Sequence, residues 1–325
     1  MNITTTRMLR RTLLAFGLTA VATTTFAQNS ITVYTAGPAG LAKSLAQEFE
    51  ASSGIKVNVF QATTGQVMAR LEAERANPQA DVLISASWDT AVDLKKRGDL
   101  LAYTSPNAAK VPSNLKDSHY VAQGAAALAI VWNPASGKAQ PKDWKDLASS
   151  QYANALTMPD PSSSGSAFGL VSSLIATQDY GWTYFETLKA NGIVVPGANA
   201  QALNPVMQGA KAAVMGAVDY IALEAKAKGE KIEVIYPTSG TVLEARPAMI
   251  LKTARNVDGA QKFIDFMLST QGQNLVAKTL MLPARTDIQA LRPGWSDIKV
   301  LSVKELNEQE RSATLAKFKT TMGLK

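Results

Sequence analysis

The 325-residue chain is 46% hydrophobic and 18% charged, the balance of a soluble globular protein long enough for two cores. It has no cysteine and a single histidine, His119, which excludes disulfides, thiolate chemistry and any multi-histidine metal site. The net charge of +7 is spread along the chain without a dense basic run, so no nucleic-acid partner is expected.

The first element in chain order is a targeting segment. Arg7, Arg10 and Arg11 precede the apolar run Leu13 to Ala22, which is too short to span a bilayer as a mature helix. Thr25-Phe26-Ala27 then offers small residues at the positions that specify cleavage, so residues 1–27 read as a secretory signal peptide. An N-terminal membrane anchor is the bland alternative. Arg10-Arg11 raises the twin-arginine route, but the residues after it match poorly and no cofactor is expected. Without a cysteine to carry a lipid, the mature chain should be free in the periplasm.

Three strand–helix pairs follow. Ile31 to Tyr34, Ile55 to Phe60 and Asp81 to Ile84 alternate or run apolar as short strands. Leu41 to Ser52, Gln66 to Ala76 and Trp88 to Arg97 carry helical stripes. That alternation predicts an α/β fold with a parallel sheet covered by helices. Each strand ends in small residues directly before a helix: Ala36-Gly37, Thr63-Thr64-Gly65 and Ser85-Ala86-Ser87. First-turn N–H groups lack intrahelical partners and carry partial positive charge, so such termini at one sheet edge would form an anion site. Plain helix capping is the competing reading of each.

The middle of the chain repeats the scheme. Ala125 to Trp132 reads as a buried strand crossing between two lobes, Lys142 to Leu147 as a short helix and Leu156 to Pro161 as a strand. Ser162 to Phe168 then leads into a helix from Ala167 to Thr177. Ser163, Ser164, Gly165 and Ser166 would present hydroxyls and N–H groups together to a phosphate, phosphonate, carboxylate or sulfate. A flexible linker is less consistent with so short a run. Ala212 to Asp219 and Glu233 to Pro237 read as strands, with a helix over Ile221 to Lys228 between them. A further strand, Ala248 to Leu251, precedes helices over Asn256 to Leu268, Thr270 to Leu280 and Val303 to Leu324.

ITVYTAG, ATTGQVMARLEAERANPQADV, DPSSSGSAF, a strand ending in Asp219-Tyr220, and ARNVDGAQKFIDFMLSTQGQ occur in that order. Together they resemble the type II periplasmic binding proteins of ABC importers, in the branch that takes ferric ion, hexose phosphates or 2-aminoethylphosphonate. The resemblance covers nearly the whole mature chain. It implies two α/β lobes joined by two crossing strands, with a ligand cleft between them. Lobe 1 would hold residues 28–127 and 236–282, lobe 2 residues 128–235, with 283–325 packed on the lobes. It also implies a monomer that delivers a small anionic ligand to an inner-membrane ABC permease.

Ferric binders of this branch carry adjacent tyrosines, and here the corresponding stretch has Tyr220 alone, so iron is the alternative to an organophosphorus ligand. The resemblance to hexose-phosphate binders implies a site of Ala36, Gly37, Thr63, Thr64, Gly65, Ser85 and Ser87 facing Ser163, Ser164, Gly165 and Ser166. Asp219 would meet the distal end of the ligand, or cap a helix. Glu244 would add a second negative end, or sit solvated on a loop. Arg246 would pair with Glu244 or hold the anion itself. Trp88 and Tyr220 would wall the ligand. A secreted hydrolase is the distant rival. It needs a nucleophile with a base or a metal cluster, and neither pattern is present.

Overall fold

The order strand, small-residue turn, helix governs the first third of the chain. The computed structural model describes residues 29–301 and 306–324, and the expected signal peptide lies outside the described residues. β1 (Ser30–Thr35), α1 (Ala39–Ser53), β2 (Lys56–Gln61), α2 (Thr64–Ala73), β3 (Val82–Ile84) and α3 (Trp88–Lys96) follow in turn. β1 pairs in parallel with both β2 and β3, as the alternation predicts. Leu41, Leu45 and Phe49 bury one stripe of α1 against this layer.

After β4 (Leu100–Leu101) comes the longest strand, β5 (Tyr120–Trp132), which is buried along twelve of its thirteen residues. β6 (Leu156–Thr157), α4 (Gly165–Ala176), α5 (Gly181–Ala190), α6 (Asn199–Met207), β7 (Ala213–Val218), α7 (Asp219–Ala227) and β8 (Glu233–Ile235) build the second lobe around its far half. β9 (Leu243–Leu251), α8 (Val257–Met267), α9 (Thr270–Lys278) and β10 (Leu282–Pro283) return to the first, and α10 (Glu308–Met322) closes the described chain. α5 and α6 have no counterpart in the sequence reading, and β9 begins five residues before its expected start.

β5 joins the lobes. Tyr120 to Ala127 pairs antiparallel with β9, whereas Leu128 to Trp132 pairs with β7 and β8. Register shifts between Ala122 and Ala125, and between Ala129 and Val131, bend it from one sheet into the next. The second crossing runs alongside: the Leu128 N–H donates to Val242 O at 3.1 Å, and the Thr241 hydroxyl donates to Leu128 O. The sheet is therefore mixed, in the order β2-β1-β3-β9-β5-β7-β6. α10 lies on α5, with the Phe318 ring edge-on to Phe185 at 5.9 Å.

An ion pair sits where β5 changes sheets. The Asp219 carboxylate, at the start of α7, meets the Arg292 guanidinium, and both side chains are buried. The carboxylate also accepts from Ala127 N–H at 3.1 Å and from the Tyr236 hydroxyl at 3.2 Å, and Arg292 donates to that hydroxyl at 2.7 Å. Burial pushes the Asp219 carboxyl upward, while Arg292 and the N–H donors oppose this. Removing one partner of such a pair leaves an uncompensated buried charge. Arg292→Met should destabilise the protein by about 3–5 kcal/mol in urea unfolding, and adding Asp219→Asn should recover much of the loss.

Candidate functional site

Between the two lobes lies a cleft of about 1030 Å³. The start of α1 (Pro38, Ala39, Gly40) and of α2 (Thr63, Thr64, Gln66) line it from the first lobe. The starts of α4 (Ser164, Gly165), α6 (Ala198, Asn199, Ala200) and α7 (Tyr220, Ile221) line it from the second. Five helix N-terminal turns thus face one space, and their partial positive charge biases it toward anions, although Thr63, Ser164 and Asp219 each already accept one first-turn N–H. Ala36, Gly37, Gln61, Ala86 and Ser163 complete much of the wall.

One strong charge reaches this wall from the crossing region. Arg246, on β9, lines the cleft although only 2% of its surface is exposed. Its Nη1 donates to Ala36 O at 3.1 Å and its Nη2 to the Tyr220 hydroxyl at 3.5 Å, and the guanidinium lies 5.4 Å from the Tyr220 ring centre. Among the described residues its Nε has no hydrogen-bond partner. The buried Thr64 Oγ1 and Asn199 Oδ1 are unpartnered as well, and both residues line the same cleft. Buried polar atoms without partners are uncommon, and these three belong to residues that line one cavity.

The predicted residues divide into three groups. Ala36, Gly37, Thr63, Thr64, Ser163, Ser164, Gly165 and Tyr220 do line the cleft. Several of their hydroxyls are already engaged: Thr63 caps α2 in a capping box with Gln66, and Ser164 caps α4 by accepting from Ala167 N–H. Ser164 Oγ also takes a 2.8 Å bond from Asn199 Nδ2. Gly65 stands at the lobe contact, its N–H 3.5 Å from Ser163 O.

The remaining residues correct the sequence reading. Ser85 and Ser87 are buried behind the wall, where Ser85 Oγ accepts from Ser87 N–H and bonds Thr90, so Ala86 alone of that turn reaches the cleft. Ser166 is buried beside Ser164 at 3.1 Å. Trp88 packs edge-on against Tyr120 at 5.1 Å and is not among the residues lining the cleft. Asp219 is committed to Arg292 at the crossing rather than to a ligand's distal end. Glu244 is neither a solvated loop charge nor a cleft residue: it is buried, with its carboxyl packed against Gly169 of α4.

Asn199 escaped the sequence reading because α6 carries Pro205 within it and has no side-chain hydrogen bond at its cap, Ala198. Gln61, Glu224 and Lys278 also line the cleft without having been foreseen. Glu224 is half exposed and paired with Lys228 at 2.6 Å. Burial raises the Tyr220 phenol above its ordinary pKa and Arg246 opposes that shift, so Tyr220 stands in the cleft as a neutral phenol.

A family model described as bacterial extracellular solute-binding protein matches residues 44–301. The chain belongs to that family. Among curated relatives, a putative 2-aminoethylphosphonate-binding periplasmic protein of Salmonella typhimurium is 24% identical over 279 residues, covering 78% of this chain and 81% of that one. Among solved structures, the periplasmic binding protein AfuA from Actinobacillus pleuropneumoniae, with fructose-6-phosphate bound, superposes with TM-score 0.82 at 24% identity, covering 91% and 99%. Iron-bound HitA from Pseudomonas aeruginosa gives 0.79 at 21%, covering 90% and 99%. The fold is the two-lobed, type II periplasmic binding protein fold. This family member is a bacterial extracellular solute-binding protein.

The lobes are in contact in this structure. A Cβ on Gly65 would stand 2.7 Å from Ser162 O, and one on Gly165 would stand 2.9 Å from Ser87 Cβ and 3.2 Å from the Ala86 carbonyl carbon. These glycines let two helix starts meet backbone to backbone. Gly65→Ala should leave the unfolding midpoint nearly unchanged but weaken ligand binding at least tenfold, because the added methyl holds the lobes apart; calorimetric titration alongside thermal melts would show both.

Proposed function

We propose that the protein captures one small organic anion per chain through a phosphate or phosphonate head, and that this ligand carries hydroxyls rather than an ammonium group. The buried Arg246 guanidinium, facing a cleft ringed by five helix starts, is the observation that carries the reading. An arginine with a free N–H edge suits a tetrahedral oxyanion, which accepts several charge-assisted bonds at once. The relatives that bind phosphorylated or phosphonate solutes support the class.

The other end of the ligand is argued from what lines the cleft there. Asp219 and Glu244, which would have held an ammonium group, are both withdrawn from it. Glu224 remains, but it is half exposed and already paired. Asn199, Gln61 and Thr64 instead offer neutral donors and acceptors suited to hydroxyls. A cleft of about 1030 Å³ also has room for a sugar phosphate and would leave a bare ion largely surrounded by water.

Ferric ion is the second reading, favoured by the likeness to iron-bound HitA. Fe(III) needs several anionic oxygens, and the described part of the cleft presents one neutral phenol beside a guanidinium and a single carboxylate, Glu224, already paired with Lys228. Among the described residues no group of three His, Cys, Asp or Glu could hold a metal ion. We read the protein as a carrier rather than a catalyst: Ser164 is occupied in capping, and His119 bonds Ser118 outside the cleft. The lobes we assign are 29–127 with 236–282, and 128–235, acting as a monomer that presents its closed form to the permease.

Calorimetric titration with hexose phosphates, glycerol phosphate, 2-aminoethylphosphonate, inorganic phosphate and Fe(III) tests this. A hexose or polyol phosphate should bind tightest, at one per chain, and Arg246→Met should weaken it by about 100-fold, as expected for truncating a buried charge partner. Tight Fe(III) binding with a phenolate-to-iron absorption band, and no heat from any phosphorylated compound, would sink the reading.

A further inference from the structure

Glu244 is a buried carboxyl that the capture reading leaves unused, and among the described residues it forms no ion pair of the kind Arg292 forms with Asp219. It sits on β9 opposite Ala126, in the first lobe's sheet, and its side chain reaches across to α4 of the second. The contact is tight: a Cβ on Gly169 would stand 1.5 Å from Glu244 Oε1, so only glycine leaves room for the carboxyl. The lobes therefore close onto this group.

Its surroundings are charged on three sides. Asp89 faces it from α3, Arg246 from its own strand and Arg311 from α10; α4 presents the uncharged Gly169. Arg311 is shared, with its Nη1 3.7 Å from Asp89 and 3.4 Å from Ser87 Oγ, and its guanidinium 4.2 Å from the centre of the Phe168 ring. It thereby ties α10 and α4 to the first lobe, and Asp93 also draws on its charge. Desolvation, reinforced by Asp89 and only partly offset by the two arginines, pushes the Glu244 carboxyl up to about 8.

We propose that Glu244 takes up a proton as the lobes close, so that ligand capture and proton uptake are coupled at a site outside the ligand cleft. The inference rests on the reading of a cleft that opens and closes, and is independent of which anion fills it. With the lobes parted, the carboxyl loses its contact with α4 and returns to an ordinary, ionised carboxylate. The closed form thus binds one more proton than the open form between the two titrations. Closure is favoured as pH falls from about 8 toward 5 and the advantage is lost as pH rises through about 8.

The chain contains no cysteine, so Lys43→Cys and Ala227→Cys would be the only attachment points for a pair of spin labels, one on α1 and one on α7. In the ligand-free protein, the ratio of short to long interlabel distances should rise on the order of tenfold from pH 8 to pH 6.5. Glu244→Gln, which mimics the protonated group, should make the ratio equal at the two pH values, and Asp89→Asn should move the midpoint to lower pH. Titration of fructose-6-phosphate near pH 7, in buffers of unequal ionisation enthalpy, should show nearly one more proton taken up by the native protein than by Glu244→Gln. An unchanged distance ratio across this pH range in the native protein overturns the proposal, as does equal proton uptake by the two proteins. If saturating fructose-6-phosphate and 2-aminoethylphosphonate also leave the distances unchanged, capture by closure falls with it; if either shortens them equally at both pH values, only the proton coupling falls.

Discussion

Strand β5 belongs to two sheets at once, and the site exists because it does. Its first half hydrogen-bonds to β9 and its second half to β7 and β8, with the change falling between Ala127 and Leu128. A strand shared in this way holds two sheets edge to edge and leaves a gap where their helices begin. Side chains at the change of sheet must be small or fully paired, because the strand is buried on all sides. Ala125 to Ala129 meets the first demand apart from Leu128, and the Asp219–Arg292–Tyr236 cluster meets the second.

The electrostatics of the cleft follow from that arrangement. Helix starts carry positive potential wherever they lie, but a single start is a weak anion site. Bringing five of them around Arg246 sums small dipoles within a water-poor space, where each counts for more. The same closeness withdraws carboxylates from the cleft. Asp219 is neutralised by Arg292, and Glu244 is pressed against α4 where its charge is disfavoured. The cleft therefore keeps an excess of positive potential, and the negative groups nearby are either paired or close to neutral.

Much of the fold was legible because hydrophobic period and turn chemistry act locally. β1 to α3 follow the predicted order, with boundaries shifted by a few residues, and the crossing role of Ala125 to Trp132 shows in its unbroken run of apolar residues. α5 and α6 were missed because their helical character depends on packing: Tyr184, Phe185 and Leu188 of α5 find their place only against neighbouring elements. Parallel pairing holds for β1 with β2 and β3 and for β6 with β7, whereas β9 returns through the sheet antiparallel to β3 and β5.

By itself, the sequence determined which segments become strands and helices, where small residues open each helix, and that the chain lacks the side chains for thiol or multi-histidine chemistry. Those properties reside in short stretches, and the physics of capping and periodicity reads them there. Only the tertiary structure decided which polar groups face the ligand. Ser85, Ser87, Ser166, Asp219 and Glu244 all sit within two residues of cleft-lining ones in sequence, yet each is turned away from the cleft, Asp219 to Arg292 and Glu244 to Gly169. Asn199 looks like an ordinary surface residue until α6 carries it to the cleft wall, and the two roles the sequence leaves open for Arg246 are separated only by where β9 places it. Whether a polar side chain is satisfied by the protein or left for a ligand depends largely on contacts between different elements, such as Asp219 with Arg292 and Glu244 with Gly169, and no local pattern encodes those.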